Sequence, residues 1–171
     1  MIALFTPAEV HRAVDLLASP SLIRLITEID DNGSIPPRQL AGTLPDLSSH
    51  QLRRATEEAR AHGLVRTTPG TGLELTETGS ELADLYDAAA RWARRHAYPA
   101  PVCAFSSRIR SVLDLLTPSL MTEHADGGSQ PAVRQVSAEA EAGLARTRAL
   151  LSQWLAGNRQ ATLASQFERA A

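Results

Sequence analysis

The sequence predicts a mainly α-helical fold with one small β-hairpin, and three observations lead there. Apolar residues recur at helical spacing in most segments of the 171-residue chain. Glycine and proline, ten of each, sit mostly between those periodic segments. A single stretch, Leu64 to Thr76, has β-favouring ends around a Pro-Gly-Thr-Gly tip.

Thr6-Pro7-Ala8-Glu9 has the form of a helix start, with Thr6 able to cap a free N–H, Pro7 preset for the first turn and Glu9 placed for the reciprocal bond. Val10, Ala13, Val14 and Leu17 then supply a buried stripe. A second start follows at Ser19-Pro20, with Leu22, Ile23, Ile26 and Ile29 facing inward until Asp31-Asn32-Gly33 breaks the helix. Ile35 to Leu44 has room for two or three helical turns, closed by Pro45-Asp46-Leu47. Ser48 or Ser49 can then cap a longer helix that runs to His62 and stops at Gly63, with Gln51 at the capping-box position if Ser48 is the cap. Leu52, Ala55, Thr56 and Ala59 form its inward stripe, His50, Arg53, Arg54, Glu57 and Glu58 its outward face, and Gln51 the boundary.

Short helix, turn, longer helix and hairpin is the order of a winged helix-turn-helix. The run "IPPRQLAGTLPDLSSHQLRRATEEARAHGLVRTTPGTGLELTETGSEL" resembles the HxlR family of transcriptional regulators, with the MarR family as a close structural relative. The Arg38-to-Leu44 helix followed by "PDLSSHQLRR" looks like that family's turn between positioning and recognition helices. "HGLVRT" resembles the usual entry to its wing, "LELTETG" its return strand and the start of the next helix, and "LYDAAARWARRH" its last core helix. The resemblance covers roughly residues 10 to 98 and implies a winged helix-turn-helix domain over 1–98, followed by a C-terminal helical region over 99–171 that dimerises or holds a ligand.

A recognition helix presents the side chains of its N-terminal turns to base edges while flanking arginines hold phosphates. Here those groups are Ser49, His50, Gln51, Arg53 and Arg54, with Arg38 on the preceding helix as a backbone contact and Arg66 on the outer side of the wing's first strand. Gln51 suits adenine and Arg54 guanine, although Arg53 and Arg54 suit phosphate equally well and a solvated face is the plain alternative. The wing tip carries no charge, and Glu57 and Glu58 lie one turn beyond the arginines, where helical pairing can engage them.

Ser80 can begin the next helix, with Leu82, Leu85, Tyr86, Ala89, Trp92 and Ala93 on one face and Arg91, Arg94, Arg95 and His96 near its end. Trp92 suits either a dimer contact or closure of the monomer core. Tyr98-Pro99-Ala100-Pro101 marks the boundary. Phe105, Ile109, Val112, Leu113 and Leu116 define a further helix ended by Thr117-Pro118, and Asp126 to Pro131 reads as a flexible connection. Val136, Ala140, Leu144, Thr147, Leu151 and Leu155 then line a long helix beside Trp154, with Gly157-Asn158 interrupting it before a last short helix through Leu163, Ala164 and Phe167. These faces need a partner: the winged domain, a second subunit or a small hydrophobic effector.

All 17 basic residues are arginine, against 19 acidic ones, so the formal charge is −2 and a uniformly basic nucleic-acid binder is excluded. Residues 1–98 carry 10 arginines and 13 acids, a net of −3, whereas 99–171 carry 7 and 6, a net of +1. A lone cysteine, Cys103, excludes an internal disulfide and reads as a small buried hydrophobe or a thiol sensor. The five histidines lack zinc spacing, and no catalytic triad, paired-carboxylate motif or glycine-rich nucleotide loop occurs, so neither an enzyme nor a cofactor is expected. With no signal peptide and no run of about 18 apolar residues, a cytoplasmic protein without a membrane segment is expected. The resulting expectation is a homodimeric regulator that binds double-stranded DNA; the alternative is a winged interaction or dimerisation module that does not.

Overall fold

The computed structural model describes residues 6–121 and 138–168. The elements are α1 (Pro7–Leu17), α2 (Pro20–Asn32), α3 (Leu40–Thr43), α4 (Ser49–Ala61), β1 (Val65–Thr68), β2 (Gly72–Leu75), α5 (Glu77–Arg95), α6 (Phe105–Met121) and α7 (Ala138–Glu168). The fold is mainly helical, with β1 and β2 forming a two-stranded antiparallel hairpin.

Local chemistry sets most boundaries. Thr6 and Glu9 form the reciprocal capping box at α1, and Pro20 opens α2, although the Ser19 side chain makes no cap bond. Gly33 leaves α2 with φ +83°, and Gly63 leaves the turn after α4 with φ +65°. Both are conformations that a side chain disfavours. At the hairpin tip Pro69 and Gly70 (φ +87°) occupy the middle of a tight turn closed by Thr71 N–H to the Thr68 carbonyl at 3.2 Å.

Four expected boundaries are corrected. The helix expected over Arg38 to Leu44 shrinks to Leu40–Thr43, because Pro36 and Pro37 favour a turn that is closed by Gln39 N–H to the Pro36 carbonyl at 2.8 Å. α5 starts at Glu77 instead of Ser80, since the Thr76 hydroxyl accepts from Gly79 N–H at 3.1 Å. α6 continues through Pro118 to Met121. The hydroxyls of Thr117 and Ser119 donate to the Leu113 and Leu116 carbonyls around that proline, and Arg148 Nε donates to Ser119 Oγ at 3.1 Å, tying the helix end to α7. α7 likewise runs unbroken across Gly157-Asn158, where the Asn158 carboxamide donates back to the Trp154 carbonyl at 2.8 Å. The expected connection at Asp126 to Pro131 and the stripe residue Val136 lie outside the described residues.

One hydrophobic cluster runs from Val10 to Leu155. α5 sits at its centre, against α2, α6, α7 and the hairpin, while α1 packs on α6. Leu17, Leu22, Ile23, Leu82 and Leu85 are fully buried, and burying each such side chain stabilises the fold by about 1.5–3 kcal/mol. Tyr86 is buried among them, donating its hydroxyl to the Leu17 carbonyl at 2.7 Å. Burial pushes that hydroxyl's pKa far upward, so it stays protonated. Trp92 donates to the Ala140 carbonyl at 2.9 Å and Trp154 to the Thr78 carbonyl at 3.3 Å, which sets α7 antiparallel to α5. Of the apolar faces expected on the C-terminal helices, Ile109, Val112, Leu113 and Leu116 on α6 and Ala140, Leu144, Thr147, Leu151 and Leu155 on α7 are buried within the chain, whereas Phe105, expected in the α6 stripe, is 42% exposed at the start of that helix. Among the described residues no helix is long and apolar enough to cross a membrane.

Candidate nucleic-acid interface

α4 is fixed from one side and open on the other. Leu52, Ala55 and Ala59 are buried, while Ser49, His50, Gln51, Arg53 and Arg54 are all exposed on its first two turns. The start of the helix is held by a complete capping box: the Ser48 hydroxyl accepts from Gln51 N–H at 3.2 Å, and the Gln51 carboxamide oxygen accepts from Ser48 N–H at 2.9 Å. That second bond occupies the carbonyl that Gln51 would offer to an adenine amino group, so a bidentate contact requires the oxygen to be shared or the box to open.

The arginines divide by what already engages them. Arg54 Nε donates to Glu58 Oε1 at 2.9 Å, the pairing that their spacing predicts, yet the Arg54 side chain remains 72% exposed. Arg53, also exposed, has no ion-pair or hydrogen-bond partner among the described residues. Arg38 lies exposed in the turn before α3, again with no such partner among the described residues, so its backbone-contact role no longer rests on a helix.

The hairpin flanks the other end of α4. Arg60 Nη2 donates to Thr67 Oγ1 at 2.9 Å, locking the last turn of α4 to β1. His50 and Arg60 are ten residues apart in the helix, about 15 Å along its axis. Arg66 therefore stands apart from the cluster at the helix start. It pairs across the strands with Glu74, whose Oε1 accepts from Arg66 Nε and Thr68 Oγ1, each at 2.6 Å. Those two donors, the Thr68 hydroxyl first, hold the Glu74 carboxyl below its ordinary range.

Two positioning features had no local sequence signal. Arg24 on α2 clamps both carboxylate oxygens of Asp46, at 2.9 and 3.2 Å, and thereby fixes the loop that leads into α4. This bond lowers the Asp46 pKa. Ile35 exchanges backbone hydrogen bonds with Leu73 at 2.9 and 2.8 Å, anchoring β2 to the segment that precedes α3. Gly72 permits that approach: a Cβ there would come within 2.4 Å of the Ile35 oxygen.

Cys103 is half-buried, accepts from Arg108 Nε at 3.2 Å and donates to the Ala100 carbonyl, so it is less enclosed than a core hydrophobe. Trp92 is buried within the chain, beside His96 and Tyr98. Among the described residues no group of three or more histidine, cysteine, aspartate or glutamate side chains could hold a metal ion. No known protein family, curated protein or solved structure matches the chain.

Proposed function

We propose that the protein is a cytoplasmic DNA-binding transcriptional regulator of the winged helix-turn-helix type, resembling HxlR-family regulators and working as a homodimer. Residues 1–98 read the DNA, with α3 and α4 as the helix-turn-helix and β1–β2 as the wing, while residues 99–171 brace that unit and contribute to dimerisation. The observation that carries the reading is the exposed start of α4, where Ser49, His50, Arg53 and Arg54 project from two turns whose opposite face is buried. A helix held this way fits a major groove, and the Arg24–Asp46 clamp and the Arg60–Thr67 bond supply the rigidity that groove reading needs. Arg53 is the first choice for a base or phosphate contact. Arg54 joins it by exchanging Glu58 for DNA, and Arg38 and Arg66 serve as backbone contacts.

The test is an electrophoretic shift on duplex DNA taken from upstream of the protein's own coding sequence, against unrelated duplex of equal length. Specific retardation that is lost on combined Arg53→Ala and Arg54→Ala substitution is the expected outcome. Retardation that survives the double substitution, or none at all, rejects the assignment.

A second reading, a winged interaction module that does not bind DNA, is favoured by one specific observation. Arg54 and Arg66 are both neutralised within the chain, by Glu58 and Glu74. In that case α4 meets a protein surface, and the double substitution leaves the partner complex weakened with no DNA complex to lose.

A further inference from the structure

We propose that Gln51 selects guanine over adenine, because its own helix cap leaves its amide free only as a donor. The selection rests on the DNA-reading role of α4 and names the half-site that such a helix takes: one with guanine under its first turn. A carboxamide has one accepting and one donating end, and adenine is matched by using both, the oxygen on the N6 amino group and the nitrogen on N7. In the capping box the Gln51 oxygen accepts from the Ser48 backbone N–H at 2.9 Å. Only the oxygen can accept that bond, so the identity of the occupied end is fixed. The oxygen has a second lone pair, but the cap sets the amide's direction, and a bidentate contact needs both ends aimed at one base edge. The Gln51 amino group has no hydrogen-bond partner among the described residues, and Gln51 is exposed.

Guanine fits what remains. It presents two acceptors, N7 and O6, to the major groove, whereas adenine sets its own N6 amino group against that of Gln51. Opening the box to read adenine gives up a hydrogen bond whose net worth corresponds to about two- to tenfold in affinity. The neighbouring groups of fixed character act in the same direction. Arg53 and Arg54 only donate, whether or not Arg54 keeps its bond to Glu58. Ser49 and His50 can donate or accept and oppose neither base. The first acceptor-only side chain of α4 is Glu57, in the third turn, past the N-terminal residues that reach base edges.

Selection from randomised duplex DNA, followed by Gln51→Glu, tests the assignment. The substitution keeps one oxygen for the Ser48 N–H, as in the usual capping box, and exchanges the amino group for a second acceptor. The full chain should enrich a guanine whose replacement by adenine weakens binding about tenfold. In Gln51→Glu that guanine-to-adenine ratio should fall to about one or invert, with an unchanged thermal melt. The added negative charge weakens both duplexes alike and cancels in the ratio. Gln51→Met, which lacks both ends of the amide, should lose the discrimination without inverting it. Enrichment of duplexes without guanine, or a guanine preference that survives both substitutions at every enriched position, overturns the proposal and leaves DNA reading by α4 in place. Enrichment of no duplex at all rejects the DNA-reading role and the proposal with it.

Discussion

Replacing Gly79 with alanine tests how the hairpin is seated on α5. A helical glycine facing open space gains up to about 1 kcal/mol of stability on becoming alanine. At Gly79 an ideal Cβ would lie 2.0 Å from the Leu64 oxygen, 3.0 Å from its carbonyl carbon and 3.3 Å from Leu75 Cδ2. An ordinary carbon–oxygen contact is about 3.3 Å, so helix and strand must part by about 1 Å or more. The obstacle is backbone, and the same Leu64 oxygen accepts from Thr76 N–H at 3.0 Å. Overpacking at about 1–3 kcal/mol and a weakened hydrogen bond at about 0.5–1.5 kcal/mol outweigh the propensity gain, giving a net loss of about 0.5–3.5 kcal/mol. At about 2–4 °C per kcal/mol for a chain of this size, the melting midpoint should fall by about 1–14 °C. Gly157→Ala is the matched control, because nothing lies within 4 Å of its Cβ position, and it should raise the midpoint slightly. Circular dichroism melts and urea titrations of both variants provide the assay. A Gly79→Ala protein as stable as the parent, alongside a normal Gly157→Ala, would refute the close approach of α5 to Leu64.

Three further predictions follow from single residues. Ala97, just past the end of α5, has φ +48°, so Ala97→Gly should raise stability by about 1 kcal/mol, and a fall in the urea midpoint would contradict the left-handed assignment. Glu58→Gln frees Arg54 and removes a negative charge from the α4 face; fluorescence anisotropy should report severalfold tighter DNA binding, and an unchanged affinity would exclude Arg54 from the contact. Burial first, then Asp31, Asp84 and Asp87, raise the Asp30 carboxyl pKa above its ordinary value. A raised folded pKa means that ionisation opposes folding: the stability is present below the unfolded pKa and lost as pH rises through the folded value. Asp30→Asn should therefore stabilise the protein at pH 7 and have little effect near about pH 3, where both forms are neutral; an equal gain at both pH values would refute the cause.

What the sequence made legible was mostly local. The capping boxes at Thr6 and Ser48, the glycine stops at Gly33 and Gly63, and the alternation of buried and exposed residues along α4 each depend on residues within one or two turns. Boundaries failed where a distant or subtle partner decided them. Pro118 reads as a stop, yet hydroxyl bonds from Thr117 and Ser119 and the tie to Arg148 accompany a continuous helix. Asp15-Leu16-Leu17 and Asp114-Leu115-Leu116 are followed by similar residues, but the chain breaks after the first and continues after the second. The candidate site was legible as an exposed face at the start of α4. The engagement of Gln51 by its own cap, the clamp from Arg24 across 22 residues and the Ile35–Leu73 pairing were not, since none is a spacing within one element.

The claim that α4 meets DNA is tested most directly by the salt dependence of binding to a duplex that the protein retards, measured for the parent and for Arg53→Ala. Each phosphate contact contributes a slope of about −0.9 in the logarithm of affinity against the logarithm of salt concentration. If Arg53 holds phosphate, its loss should make the slope shallower by about 1 per protomer and weaken binding to all sequences alike. If it reads a base, the slope should hold while discrimination between specific and unrelated DNA shrinks by about 1–3 kcal/mol. An unchanged slope together with unchanged discrimination would contradict a DNA-reading role for α4.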